Sequence, residues 1–203
     1  MRKAIALTIS DIHLTLKPPP CRNETPEEWM QTMVSHLVMI SQAASNLKVP
    51  VLCGGDVFDR WNPPPELINF ALEYLPSMIA VPGQHDLPYH RYELDRCGYG
   101  VLVRAGKITN VETEWNGAGP LRVIGFPWGR ELTRGPGKED GTTVVALCHH
   151  YVWAGSNKYP DAPKECEWDA LARKLRGFDV AVFGDNHKGF CLSSKTRLTV
   201  VNN

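Results

Sequence analysis

Five short apolar runs in this chain each end on an aspartate, a histidine or a carboxamide, and that recurrence constrains the fold more than any other feature. Residues 4–10 (AIALTIS) stop at Asp11 and His13. Residues 49–53 pass through Gly54 and Gly55 into Asp56, and residues 78–81 pass through Pro82 and Gly83 into Gln84, His85 and Asp86. Residues 143–148 lead into His149 and His150, and residues 180–183 lead through Gly184 into Asp185, Asn186 and His187. Any one aspartate after a strand is ordinarily a turn former or a helix cap. Five such endings mean more, because strands lying side by side deliver their ends to one edge of a sheet, where groups remote in sequence meet.

Between the runs lies helix. Thr25 is a capping residue and Pro26 suits the first helical position, while Glu27 and Glu28 fall in the first turn, where the positive end of the helix dipole favours acid. Met30, Met33, Val34, Leu37, Ile40 and Ala44 then recur mostly three or four apart, which predicts a helix over 29–47 with one buried face. A second helix is predicted over 65–74. Strand, helix, strand, helix, strand is the pattern of parallel strands joined by right-handed crossovers, with ligands at the carboxyl ends of the strands. The second half is richer in strand, at 108–114, 121–126, 143–148, 180–183 and 198–201, with a helix over 167–175. Residues 127–142, dense in glycine, proline and charge, are expected to be a mobile loop. No repeat or shift in composition divides the chain, so one catalytic domain is expected over 1–203, with no separate capping domain.

Composition matters for what it excludes. Lys plus Arg and Asp plus Glu both number 22, so no global positive field marks a general nucleic-acid binder, and such contact needs a local patch such as Arg91, Arg96, Arg104 or the stretch Lys164 to Arg176, charges that ordinarily form a solvated helix face. The six cysteines never form a CxxC pair, which argues against a zinc ribbon or a redox motif, and Cys53 and Cys148 read as buried thiols. No apolar stretch approaches the roughly 20 residues a bilayer requires. No membrane association is expected, and a reducing cytoplasm is the expected setting.

Carboxylates and imidazoles without thiolates suit manganese, iron, zinc or magnesium better than a structural cysteine site. Two cations about 4 Å apart require a shared carboxylate and can clamp a phosphate between them. Asp56 is the natural bridge, since Gly54 and Gly55 before it permit close backbone approach. Asp11 and His13, two apart on extended chain, point the same way and can hold one ion together. Adjacent residues leaving a strand face opposite ways, so one of His149 and His150 is a ligand, and His149, directly after the strand, is preferred.

The set resembles the calcineurin-like metallophosphoesterases, whose motifs run D-x-H, G-D, G-N-H-D, a lone H and G-H-x-H. Here they read Asp11-Ile12-His13, Gly55-Asp56, Gly83-Gln84-His85-Asp86, His149 and Gly184-Asp185-Asn186-His187, in the family's order. The resemblance implies an α/β fold, a four-layer α/β/β/α sandwich with mixed sheets and a metal site at the strand carboxyl ends. It implies Asp11, His13, Asp56 and His187 around one divalent cation and Asp56, Gln84, His149 and Asp185 around the other. Manganese is the foremost expectation, with magnesium, iron, zinc or nickel as alternatives. Gln84 stands where the family has Asn, on a stem one methylene longer. Asp185 stands where the family usually has His, and its anionic oxygen favours a harder ion. His85 matches the residue beside the leaving group and is expected to act as general acid, with Asp86 orienting its ring while cation-activated water attacks phosphorus.

Within the family, Asp-Ile-His, the run Gly-Gly-Asp-Val-Phe-Asp and the His-His pair look most like the SbcD-like DNA repair exonucleases, phage-encoded relatives included. That implies a phosphodiesterase acting on DNA, a coiled-coil ATPase partner if the chain is a repair nuclease, and a homodimer as one assembly. Nucleases of that branch carry a capping segment after the last metal motif, whereas this sequence ends at Asn203, so a minimal catalytic domain and a substrate smaller than DNA both stand as expectations. A small-molecule phosphatase or nucleotide phosphodiesterase is the second enzymatic reading. A protein-binding scaffold with weakened metal sites is a third, and His85 with Asp86 speaks against it, a scaffold having no use for a general acid. His36 on the helix and His90 beside Arg91 in a loop read as ordinary surface or core residues, although His90 and Tyr89 follow the catalytic loop closely enough to reach substrate, and Asp59 and Arg60 read as a structural salt bridge or cap.

Overall fold

Alternation along the strands sorts this chain into layers. The computed structural model describes residues 4–117, 119–194 and 198–202. In the first half, β1 (Leu7–Ile9), β2 (Val51–Cys53), β3 (Met78–Ala80) and β4 (Ile108–Asn110) form a sheet in that order, parallel throughout. The connecting helices are α1 (Pro26–Leu47), α2 (Pro65–Tyr74) and α3 (Gly98–Arg104). In the second half, β5 (Glu114–Asn116), β6 (Leu121–Phe126), β7 (Thr143–His149), β8 (Val180–Gly184), β9 (Phe190–Ser193) and β10 (Thr199–Asn202) form a second sheet in the order β5-β6-β7-β8-β10-β9. That sheet is mixed: β6, β7, β8 and β10 are parallel, and β5 and β9 run against their neighbours. Helix α4 (Trp168–Lys174) joins β7 to β8.

Successive side chains on a strand point to opposite faces, and both faces of the central strands are covered. Val51, Cys53, Met78 and Ala80 pack with Met33, Leu37, Phe70 and Leu102 of the first three helices. Their alternates Leu52 and Ile79 meet Val145, Leu147 and Val182 between the sheets. Val144, Ala146, Cys148, Ala181 and Phe183 pack against Leu171 and Ala172 of α4. The order is helix, sheet, sheet, helix, the four-layer α/β/β/α sandwich. Strands buried on both faces read as unbroken apolar runs, which is why they stand out in the sequence.

Helix α1 begins where its cap predicts. The Thr25 hydroxyl accepts from the Glu28 amide at 3.2 Å and the Glu28 carboxylate accepts from the Thr25 amide at 2.8 Å, a reciprocal box with Pro26 in the first turn. A side-chain cap of this kind contributes about 1 kcal/mol.

Three differences from the sequence expectations have physical causes. The strand predicted over 108–114 is two strands, β4 in one sheet and β5 in the other, with Val111 buried between the sheets as the chain crosses over. Gly125 permits the crossing, because a Cβ there would strike the Val111 carbonyl. Helix α3 goes unpredicted because Gly98 and Gly100 look like turn residues, yet a Cβ at either would collide with Pro63 or the Leu94 carbonyl. Strand β9, at the sheet edge with alternating partial burial, also goes unpredicted. Residues 127–142 contain turns but neither helix nor strand. Cys53 and Cys148 are buried, and all six cysteines are free thiols. Among the described residues no helix is long and apolar enough to cross a membrane.

Candidate metal centre

Past β1 and β2 the parallel pairing continues by single backbone bonds, Asp11 N to the Gly55 carbonyl at 2.9 Å and His13 N to the Asp56 carbonyl at 3.0 Å. The two strand-end loops therefore leave side by side. Asp11, His13, Asp56 and Asp185 all have left-handed backbone, with φ of 52°, 46°, 51° and 89°. Such a conformation costs a residue with a Cβ about 1 kcal/mol or more and persists only where its surroundings over-determine it. Here the strain falls on four of the residues singled out from sequence, and the chain at Asp11 and His13 is left-handed rather than extended as expected. Gly55 and Gly83 make the close fit feasible: a Cβ on the first would enter the His149 ring, and one on the second the Asp56 carboxylate.

Asp56, 1% exposed, is the hub. Its Oδ1 accepts from the His85 amide at 2.9 Å, and its Oδ2 lies 3.3 Å from His149 Nε2 and 3.8 Å from His13 Nε2. Ligand-type atoms of Asp11, His13 and His187 gather within 4.8 Å of one another, as do those of Asp11, Asp56 and His149, and those of His13, Asp56 and His85. Asp11 Oδ1 lies 3.6 Å from His187 Nε2 and accepts from the Asp185 amide at 2.9 Å. Gln84 Oε1 lies 2.6 Å from His149 Nε2, while Gln84 Nε2 donates to Asp185 Oδ1 at 2.8 Å. Residues from both sheets thus meet at one edge.

The charges are mutually adjusted. Burial works against ionised Asp56, but the His149 hydrogen bond and charge, the His85 amide and His13 hold its pKa below the ordinary carboxylate value. Burial likewise opposes a charged His149, and the Asp56 hydrogen bond and charge, with Asp11 and the Gly54 carbonyl, outweigh it and raise the pKa to about 9. Burial lowers the pKa of His13, against the pull of Asp56, which favours a free imidazole lone pair.

These donors fit a divalent cation. His13 Nε2 is buried and has no hydrogen-bond partner although it faces Asp56. His149 Nδ1 donates to the Gly54 carbonyl at 2.6 Å, which aims Nε2 into the cluster, the way a backbone acceptor commonly orients a metal-ligating imidazole. His150 joins none of these groups: it lines the neighbouring cleft with Asp185, its Nδ1 lying 2.9 Å from the Tyr151 carbonyl.

Asp86, which its place in the motif predicts to orient the His85 ring, does something else. It is fully buried and accepts backbone amides from Val57 at 3.2 Å, Phe58 at 3.0 Å and Gly83 at 3.0 Å, tying the loop after β2 to the loop after β3. Burial pushes its carboxyl up to about 7, the Asp56 charge adding to the rise and the three amides opposing it. The His85 ring is held instead by the Asp59 backbone carbonyl, 2.8 Å from Nδ1. Arg60 Nε stands 3.8 Å from Asp59 Oδ2 at a largely exposed position, where an ion pair contributes little. Asn186 also belongs to the frame: its Nδ2 donates to the Val152 carbonyl at 2.6 Å and the Asn157 carbonyl at 3.0 Å, fixing the turn between Asp185 and His187. Its position inside the last motif is the only sequence signal for that role, and a backbone carbonyl such as that of Asp59 leaves none.

Two clefts open from the cluster. One of about 640 Å³ is bounded by Trp128, Arg130, His149, Tyr151, Tyr159 and Asp185. The other, about 290 Å³, is bounded by Arg60, Trp61, Gln84, His85, Tyr89 and His90.

The sequence profile of the family described as Calcineurin-like phosphoesterase matches residues 6–189. No curated protein sequence gives a significant match. Among solved structures, a dimetal phosphatase from Danio rerio superposes with a TM-score of 0.56 at 12% identity, over 97% of this chain and 86% of that one, a likeness of fold. A phosphopantetheinyl hydrolase from Mycobacterium tuberculosis superposes with a TM-score of 0.48 at 13% identity, over 98% of this chain and 88% of that one.

Proposed function

The chain belongs to the calcineurin-like phosphoesterase family, and from that premise we propose that it hydrolyses phosphodiesters using two divalent cations that share Asp56. The observation that carries this is the position of Asp56, its Oδ2 3.3 Å from His149 Nε2 on one side and 3.8 Å from the unpaired His13 Nε2 on the other. Asp11, His13, Asp56 and His187 would hold one cation, and Asp56, His149, Asp185 and the Gln84 carbonyl the other. With oxygen and nitrogen donors and no thiolate, manganese is the first choice. Bound there, the cations would supply Lewis acidity, drawing charge from the phosphate and making water acidic enough to attack phosphorus.

The chain's own groups do the rest. A carbonyl can only accept, so the Asp59 contact places a hydrogen on His85 Nδ1, and in the imidazolium form Nε2 carries the second proton, the one for the departing oxygen. Asp86 keeps the loops of Asp56 and His85 in register through its three amide bonds. A diester has a substituent on each side of phosphorus, and the two clefts offer a place for each, whereas a monoester needs only one. The SbcD-like motifs make DNA the first polymer to test, with a coiled-coil ATPase and a second copy of the chain as partners, a cytoplasmic setting, and a phage or bacterial source. We take 1–203 as one catalytic domain.

Hydrolysis of bis(p-nitrophenyl) phosphate, p-nitrophenyl phosphate and linear DNA, each with added manganese, tests the reading. The diesters should be the better substrates. Preference for the monoester would make the protein a phosphatase, and inactivity on all three with no cation retained by elemental analysis would leave a scaffold.

A further inference from the structure

We propose that the two clefts are nucleoside subsites, so that the substrate is a phosphodiester with an unpaired base on each side of the scissile phosphate. This rests on the phosphodiesterase reading above and adds the identity of the groups esterified to the phosphate.

The clefts meet at the centre itself. Gln84 bounds the smaller one and bonds to His149 and Asp185, which bound the larger. Each cleft is walled by aromatic rings. In the smaller, the rings of Trp61 and Tyr89 lie 5.5 Å apart, inclined by 46°. Tyr89 is 71% exposed, and both it and His90 have left-handed backbone, with φ of 51° and 62°. Strain in two consecutive residues holds an aromatic ring out in solvent, where it gains little packing. In the larger cleft, Tyr151 and Tyr159 lie 4.9 Å apart and are locked by the Tyr159 amide donating to the Tyr151 hydroxyl at 3.2 Å. Trp128 completes that wall, its ring 6.3 Å from His149.

Rings presented to solvent beside a phosphate site are platforms for other planar rings, and a nucleobase offers such a face whatever its sequence. One arginine stands at each cleft, Arg60 beside Asp59 and Arg130 beside Glu131 with a guanidinium nitrogen on the Glu112 carbonyl, so the rings rather than the charges carry the recognition. The bases must be unpaired. With Lys plus Arg equal to Asp plus Glu the chain has no net positive charge to draw it onto a duplex, and in a duplex the base faces are already covered by their neighbours. His85 bounds the smaller cleft, so that cleft takes the leaving nucleoside and the larger one the nucleoside that keeps the phosphate. Hydrolysis forms one P–O bond from water, whose proton passes to solvent, and breaks the P–O bond to the leaving nucleoside, whose oxygen takes the Nε2 proton of the His85 imidazolium.

The test uses the manganese-loaded protein and five substrates: a deoxydinucleotide, its analogue lacking the base on the leaving side, a short single strand, the same strand in a blunt duplex, and bis(p-nitrophenyl) phosphate. Loss of the base should lower kcat/KM about tenfold, the scale of one stacked base. Tyr89→Leu, at an exposed position, should cost the dinucleotide a similar factor, and the two losses should overlap rather than multiply when combined. A strand cut faster than the dinucleotide identifies nucleic acid as the source of the substrate, and the reverse identifies a free dinucleotide; either outcome supports the subsites. Equal rates with and without the base, or equal cutting of strand and duplex, would overturn the proposal while bis(p-nitrophenyl) phosphate turnover left the phosphodiesterase reading standing. Failure to hydrolyse even that diester would overturn both.

Discussion

Gln84 donates from Nε2 to Asp185 Oδ1 at 2.8 Å, and these residues, 101 apart in sequence, occupy the two positions where the chain departs from its family's motifs. The departures are matched. The longer amide stem lets Gln84 reach Asp185 while its carbonyl stays 2.6 Å from His149 Nε2, so the carboxylate steers the amide oxygen toward the cluster. Asp185→Ala removes a proposed ligand as well as that amide's acceptor and should weaken the second cation by at least about tenfold. The double change Gln84→Asn with Asp185→His should bind better than the two single changes predict, with a coupling of about 1 kcal/mol, as expected for residues in direct contact. Cation titrations of the four proteins form the cycle, and strict additivity would refute the pairing.

Asp56→Asn removes a charge from the residue both donor groups share. An amide presents one oxygen, already facing the His85 amide, in place of two carboxylate oxygens. Cation content measured by elemental analysis should fall from two per chain to one or none, and diester hydrolysis should disappear. Two cations retained would show that the bridge lies elsewhere.

His85→Gln leaves every proposed cation ligand in place and removes the proton donor. Turnover should fall by about 100-fold or more, the scale of general acid catalysis. Because p-nitrophenolate leaves without protonation, the loss should be far smaller on bis(p-nitrophenyl) phosphate than on DNA. Equal losses on both substrates would refute the role.

Much of this architecture is legible in the sequence for one reason: strands covered on both faces are continuous apolar runs, so the polar residues that end them stand out. Asp11, Asp56, Gln84, His149 and Asp185 are visible in that way, and Thr25 with Glu28 marks the start of α1 as clearly. What stays hidden depends on backbone partners and close approach. Gly98 and Gly100 look like breaks but sit inside α3 because Pro63 and Leu94 press against them. The crossing of Val111 from one sheet to the other depends on Gly125, which is remote from it in sequence. Asp86 looks like the partner of its neighbour His85, whereas its oxygens go to three amides on two loops.

The place of Asp86 yields a stability prediction distinct from catalysis. Above its pKa of about 7 its carboxylate is an acceptor on both oxygens, while an amide of the same shape would turn an NH₂ group toward backbone N–H donors. Leaving a buried donor unpaired costs about 1–3 kcal/mol. Asp86→Asn should therefore lose about 3 kcal/mol in chemical denaturation of the chelated protein, more than a merely orienting residue would. A loss below about 1 kcal/mol, with turnover nonetheless reduced, would return Asp86 to the role its motif suggests.

His149 links the centre to pH. It is 1% exposed, with Nδ1 2.6 Å from the Gly54 carbonyl and Nε2 2.6 Å from Gln84 Oε1 and 3.3 Å from Asp56 Oδ2. Burial opposes its charge, yet Asp56, Asp11 and the Gly54 carbonyl raise its pKa from 6.5 to about 9. A histidine raised in the folded state adds stability that is complete below its unfolded value and is lost as pH climbs through its folded value. Chelated protein should accordingly lose up to about 3 kcal/mol of stability between these two pH values, since a tenfold change in proton affinity corresponds to about 1.4 kcal/mol. The Nε2 lone pair that a cation requires is the one that holds the proton, so the two compete, and affinity should rise about tenfold per pH unit through this window. Calorimetric titration with manganese at about pH 8, in buffers of different ionisation enthalpy, counts the proton displaced. Close to one proton should leave per cation bound at the His149 side, and the His149→Ala protein should release none there. Manganese uptake by the unaltered protein without proton release would place the cation away from His149.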